Sequence, residues 1–250
     1  MIEILILSLI QGVTEFLPIS SSSHLIIASE YLKLEKNLSI DVSLHIGSFL
    51  AVLVYFYKDV FNFYANKILF LKIIVSSVPV MLAGVILVET NFIEKLRNIE
   101  TIAWTTLVFG ILLFISDKFK INKNIKKDFN LKSAVFIGFF QILALIPGVS
   151  RSGIAITAAR FLKFDRVDSA KISYLLSIPV LTAVSFYGIY KNIYVSDTML
   201  SQLSFSGILL SFIFSYITIK YFLIYIKNFS MNLFVYYRIL LGIFILFYAY

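Results

Sequence analysis

The sequence contains no cysteine, and only 14% of its 250 residues are charged. The first absence excludes disulfides, thiolate chemistry and Cys-ligated metal sites together, so any nucleophile is Ser, Thr, Tyr, His or a carboxylate. The second sets the chain against the roughly one quarter of charged residues in a soluble domain and excludes a soluble enzyme, a disordered tail and a secreted scaffold. What fills the sequence instead is apolar: 60% hydrophobic residues, with 25 Phe and 15 Tyr, at a mean hydropathy of +0.92. Runs of Ile, Leu, Phe and Val are long enough to cross a bilayer core, which makes the class a polytopic helical membrane protein. The N-terminus, MIEILILSLIQG, carries Glu3 where a signal peptide would carry Lys or Arg, and reads as mature structure.

The net charge of +8 does not indicate a nucleic-acid partner, because six lysines lie in one stretch from Lys118 to Lys132 between two apolar segments. That pattern is a cytoplasmic loop. Six segments are clean enough to span: about 40 to 57, 70 to 88, 101 to 116, 172 to 190, 204 to 226 and 233 to 250. Two further apolar stretches, about 1 to 32 and 133 to 162, are interrupted by LIQGVTEFLPISSSSHLIIA and FFQILALIPGVSRSGIAITA. Polarity of this density is costly on a lipid-facing helix but tolerated in a helix-break-helix hairpin buried inside protein. With the Lys118 to Lys132 loop inside, the loops at 58 to 72, 163 to 171 and 220 to 232 are also inside and net positive. Those at 33 to 41, 89 to 100 and 191 to 202 lie outside, and both termini are extracytoplasmic.

A shift of 130 residues aligns the two interrupted stretches without a gap. Gln11 falls on Gln141, Ser20 on Ser150, Ser22 on Ser152 and Ala28 on Ala158, with 12 identities over the 47 positions from 11 to 57. Roughly four would arise by chance, so an internal duplication is expected, with its halves oppositely oriented. The expected fold class is therefore all-α: six transmembrane helices plus two re-entrant helical hairpins in an inverted-topology repeat. It forms a single integral-membrane domain over 1–250, with repeat one about 1–116, a cytoplasmic basic loop about 117–132 and repeat two about 133–250. Such repeats place the functional site where paired broken helices meet near mid-membrane.

The first hairpin holds Gln11 and Glu15, four residues apart and on one helix face, then Pro18, Ser20, Ser21, Ser22, Ser23 and His24. In the second, Pro147 and Gly148 break the helix, Ser150 can cap the next one and Arg151 opens it. A helix start with free N–H groups beside a guanidinium fork is a phosphate site. The other reading of Arg151 is a structural bridge to Glu15. If the hairpins converge, phosphoryl transfer gives each group a role: Arg151 and N–H groups stabilise charge, a serine is the nucleophile, His24 carries protons, and Glu15 is base or metal ligand. Hard oxygen donors and a phosphate suit magnesium or calcium, although one carboxylate does not build such a site alone.

EFLPISSSSH together with PGVSRSG resembles the undecaprenyl-diphosphatase family, often called bacitracin-resistance proteins, over essentially the whole chain. The resemblance implies removal of the terminal phosphate from a C55-type polyprenyl diphosphate, which regenerates the monophosphate carrier of cell-envelope glycan synthesis. It further implies an active site opening outward in the plasma membrane and dependence on a divalent cation. By resemblance, Glu15, Ser21, His24 and Arg151 are catalytic, Glu15 is also the metal ligand, and Gln11, Ser20, Ser22, Ser150 and Ser152 bind substrate. Three positions depart from the family pattern: Gln11 where many members have Glu, Ser23 where Gly is usual, and Ala155 where Thr is frequent. The partners implied are the polyprenyl diphosphate and the bilayer, with no nucleic acid, and a homodimer is compatible with the sequence. The competing function is a lipid-phosphate flippase or transporter, which would not need the Ser21 and His24 pair. His45, beside Asp41, reads as an interfacial histidine, and Arg160, Asp165, Arg166 and Asp168 read as a solvated cytoplasmic loop.

Overall fold

The computed structural model describes residues 2–32, 38–90, 95–194 and 202–249, so part of each of the three expected outer loops lies outside the described residues. Within the described residues the secondary structure is helical: α1 Ile2–Thr14, α2 Ser21–Tyr31, α3 Leu38–Tyr55, α4 Tyr57–Ala65, α5 Lys67–Glu89 and α6 Ile99–Asp117. These are followed by α7 Leu131–Ile142, α8 Arg151–Phe161, α9 Arg166–Tyr194, α10 Gln202–Asn228 and α11 Asn232–Ala249. Five of these, α5, α6, α9, α10 and α11, are long and apolar enough to cross a membrane, and α3 with α4 makes a sixth candidate bent by 68°.

Helix starts are set by side chains that satisfy otherwise orphaned N–H groups. Asn66 accepts from Leu69 N at the head of α5, Asn98 from Thr101 N at α6, and Asn130 from Ser133 N at α7. Each cap is worth about 1 kcal/mol. The segment 58 to 72, read from sequence as a loop, is instead α4 and the start of α5. Lys58, Asp59 and Asn62 stand there among Val60, Phe61, Phe63 and Tyr64, a mixed composition of the kind that interfacial helices have. Asp59 on α4 pairs with Lys171 on α9 at 2.6 Å.

The outer surface is apolar, as a lipid-facing surface must be: Phe244 is 68% exposed, Phe247 86% and Leu240 69%. Inside, the aromatic rings of Phe16, Phe56, Tyr174 and Phe222 pack edge to face or tilted around Tyr174. Since lipid and leucine are equally apolar, helices associate through close packing and polar contacts. Gly138 of α7 is one such contact, because an added Cβ would lie 2.6 Å from the Ser76 carbonyl oxygen of α5.

The four residues expected as a solvated loop are a buried or half-buried junction. Asp117, at the end of α6, accepts from Arg166 Nε at 2.7 Å and Nη2 at 2.9 Å and from Met231 N at 3.2 Å. Arg160 is 1% exposed and donates to the carbonyls of Phe164, Asp117 and Phe119. Asp165 caps Asp168 N, and Asp168 accepts from Ile125 N of a one-turn helix, Ile125–Asp128. The sequence reading failed here because charge density marks a loop only when the charges face water, and these face one another. Asp117→Ala is expected to destabilise the fold by about 3–5 kcal/mol, because it strands buried guanidinium groups. A fall in the thermal unfolding midpoint of purified protein would register it, and an unchanged midpoint would refute the junction.

Candidate active site

Both interrupted stretches break at the expected residues. After α1 the chain turns through Glu15 to Ser20. After α7 it passes a single 3-10 turn, Leu143–Leu145, then Pro147 and Gly148 before α8. Ser20 and Ser150, 130 positions apart, occupy the same unusual backbone region, with φ of 74° and 71°. A left-handed residue other than glycine costs about 1–3 kcal/mol and persists only where its surroundings enforce it. Each of these serines is the residue from which a helix starts, α2 and α8 respectively. Ser150 Oγ caps α8 by accepting from Gly153 N at 3.1 Å.

The two breaks meet across the fold. Arg151 Nη2 donates to Glu15 Oε1 at 2.5 Å, and Ser21 Oγ donates to Glu15 Oε2 at 2.7 Å. Gln11 Nε2 reaches the same Oε2 at 3.1 Å from one turn earlier on α1. Ser152 Oγ of the second break donates to the Leu17 carbonyl of the first at 2.6 Å. Glu15 is thus held on both oxygens by one residue of each break, with Gln11 behind it.

These residues open on a pocket lined by Glu15, Ser20, Ser21, Ser22, Ser150 and Arg151, with Val180, Leu181 and Val184 of α9 forming an apolar wall. The first turns of α2 and α8 both contribute to it, so two helix N-termini and a guanidinium face one cavity. Of the expected site residues, Gln11 and Ser152 are buried behind the pocket wall rather than on it. His24 is not among its lining residues either. Its Nδ1 meets the Ser20 carbonyl at 2.7 Å and its Nε2 the Tyr237 hydroxyl at 2.5 Å, with the two rings stacked. The imidazole that does line the pocket is His45, whose Nδ1 bonds the Asp41 carbonyl at 2.8 Å. That bond fixes Nδ1 as the protonated nitrogen and leaves Nε2 as the basic one. Proximity to Asp41 suggested an interfacial role in the sequence. No local pattern says that the first half of α3 carries His45 to the breaks.

Glu15 is the single carboxylate lining the pocket, and among the described residues no cluster of three or more His, Asp or Glu could hold a metal ion. Among the described residues, Glu15 Oε1 accepts only from Arg151 and keeps a second lone pair, whereas Oε2 already accepts from both Ser21 and Gln11. The donor set is hard oxygen and suits magnesium or calcium only if phosphate oxygens and water complete the shell.

Comparison with known proteins gives the family. The family model described as "Bacitracin resistance protein BacA" matches residues 4–244. The chain belongs to this BacA family. Among BacA relatives, a protein of Pelagibacter ubique (strain HTCC1062) is 49% identical over 97% of this chain and 95% of its own. One from Saccharophagus degradans (strain 2-40 / ATCC 43961 / DSM 17024) is 44% identical over 94% and 93%, and one from Teredinibacter turnerae (strain ATCC 39867 / T7901) is 42% identical over 97% of each. All three relatives bear the name undecaprenyl-diphosphatase.

Proposed function

We propose that this protein hydrolyses a polyprenyl diphosphate, undecaprenyl diphosphate in the first instance, to the monophosphate and inorganic phosphate, returning the carrier lipid to cell-envelope glycan synthesis. Full-length similarity to proteins named for that reaction supports the activity. The single structural observation that carries it is the junction of Ser21, Glu15 and Arg151 across the two breaks, which joins a hydroxyl, its proton acceptor and an anion clamp. The pocket also matches an amphiphile: its polar floor takes the diphosphate while the prenyl chain leaves along Val180 and Val184.

In the reaction, Arg151 and the N–H groups at the start of α8 hold the terminal phosphoryl oxygens. Ser21 Oγ attacks the terminal phosphorus and passes its proton to Glu15. As the new O–P bond forms, the bond to the bridging oxygen breaks and its electron pair leaves with the prenyl monophosphate. Water then cleaves the phosphoserine and releases phosphate. Glu15 would hold magnesium or calcium together with the diphosphate, and the ion would neutralise charge on the phosphoryl oxygens. His24 acts from behind, orienting the Ser20 carbonyl and hence the first turn of α2. His45 faces the substrate, so His45→Ala is expected to lower kcat by about ten-fold or more, as for loss of a proton-transfer group. Tyr237→Phe, which removes only a hydroxyl behind His24, is expected to cost less than that. Equal losses in steady-state assays would contradict this ordering.

Six spans plus two re-entrant hairpins related by an inverted repeat accommodate these helices, and the matching left-handed serines support that arrangement. An outward-facing pocket is supported by α9. Val180 and Val184 lie about 21–27 Å from the helix start at Arg166, counted at 1.5 Å per residue, and Arg166 adjoins the lysine-rich segment through the Asp117 junction. Phosphate release from undecaprenyl diphosphate by detergent-purified protein, with magnesium or calcium and with EDTA, tests the reading. Release abolished by EDTA is expected. Undiminished release in EDTA would remove the metal from the mechanism.

A further inference from the structure

Arg238 lies in the interior of α11, within the apolar run YYRILLGIF, and is fully buried. Its ring of partners is made of carbonyl oxygens: Nε donates to Thr106 at 3.2 Å, Nη1 to Pro18 and Val149 at 3.1 Å each, and Nη2 to Gly148 at 2.8 Å. Three of the four belong to the two chain breaks. Pro18 precedes Ser20, and Gly148 and Val149 lead into Ser150, the two left-handed residues that aim Ser21 and Arg151. Carbonyls at helix breaks have no partner in their own helix, and a planar fork of donors can satisfy several at once where an ammonium cannot. A guanidinium buried at membrane depth is costly, and packing alone would be served better by an apolar residue of similar volume. The fit is close: a Cβ added at Gly110 of α6 would lie 3.1 Å from Arg238 Cβ, and one at Gly153 of α8 would lie 3.0 Å from Nη1.

We propose that Arg238 is a positioning residue for the hydrolysis, a strut that fixes the separation of the two breaks and thereby the register of Ser21 and Glu15 against Arg151. The inference rests on the diphosphatase reading above. It is tested in full-length, detergent-purified Arg238→Lys, which keeps the charge and loses the fork, and Gly110→Ala, which keeps Arg238 and presses on it. The measurements are kcat and KM on undecaprenyl diphosphate, the thermal unfolding midpoint, and the cross-linking yield of a Leu17→Cys/Ser152→Cys pair placed in each background with a short bifunctional thiol reagent.

A misplacement of about 1 Å can cost on the order of 10²-fold in rate, so Arg238→Lys is expected to lose about that much in kcat with KM changed by less than about three-fold. Gly110→Ala is expected to lose a smaller part of kcat at a similar unfolding midpoint, because the crowding of Arg238 Cβ at 3.1 Å offsets the better helix propensity of alanine. Cross-linking should fall in both. Wild-type kcat in both variants would overturn the proposal, as would losses that only follow the unfolding midpoint. If Arg238→Lys does not fold, Gly110→Ala decides alone. If the wild type releases no phosphate, the diphosphatase reading fails, and cross-linking still decides whether Arg238 sets the spacing.

Discussion

Arg151→Ala is expected to lower phosphate release by about 10³-fold, equivalent to roughly 4 kcal/mol of transition-state stabilisation, the scale seen when a preorganised oxyanion donor is removed. The same substitution strips Glu15 of its ion-pair partner, so a loss of activity alone would not separate an anion clamp from a structural bridge. Binding of inorganic phosphate to the double variant Arg151→Ala/Glu15→Gln separates them, because activity cannot return without Glu15 as proton acceptor. If Arg151 serves only to neutralise Glu15, removing both charges restores phosphate binding to the wild-type level. If Arg151 binds the phosphoryl oxygens, phosphate binding stays as weak as in Arg151→Ala. The second result is expected, with both proteins folded by thermal unfolding.

Ser21→Ala carries the next largest effect. As the nucleophile its loss removes the covalent route, and kcat is expected to fall by about 10³-fold or more, with KM little changed because Arg151 and the α8 terminus still hold the diphosphate. Rapid quenching of the wild type should then reveal phosphate on the Ser21 peptide by mass spectrometry. A fall of only about ten-fold, with no phosphoserine trapped, would mean that water attacks directly and Ser21 orients it.

The sequence made the lipid environment, the long apolar helices and the two breaks legible because each rests on a local signal: apolar length, or Pro and Gly set among serines. The register of Ser20 on Ser150 was also visible, and the structure gives the two residues the same left-handed backbone. Contacts between distant segments were not legible. Asp117 gathers its partners from positions 43 to 114 residues away, and nothing near it announces them. His45 and Tyr237 reach the site region only through helix packing. Arg238 did leave a signal, a lone arginine in an apolar span, which by the cost of burying charge in a membrane marks a residue with a task.

The most direct test is to identify the products formed from undecaprenyl diphosphate by phosphorus NMR in detergent, wild type beside Arg151→Ala. Undecaprenyl monophosphate and inorganic phosphate in equal amounts, from the wild type only, are expected. Release of intact diphosphate with the free prenol, or no turnover by folded protein that still binds the lipid, would contradict hydrolysis at the terminal phosphorus.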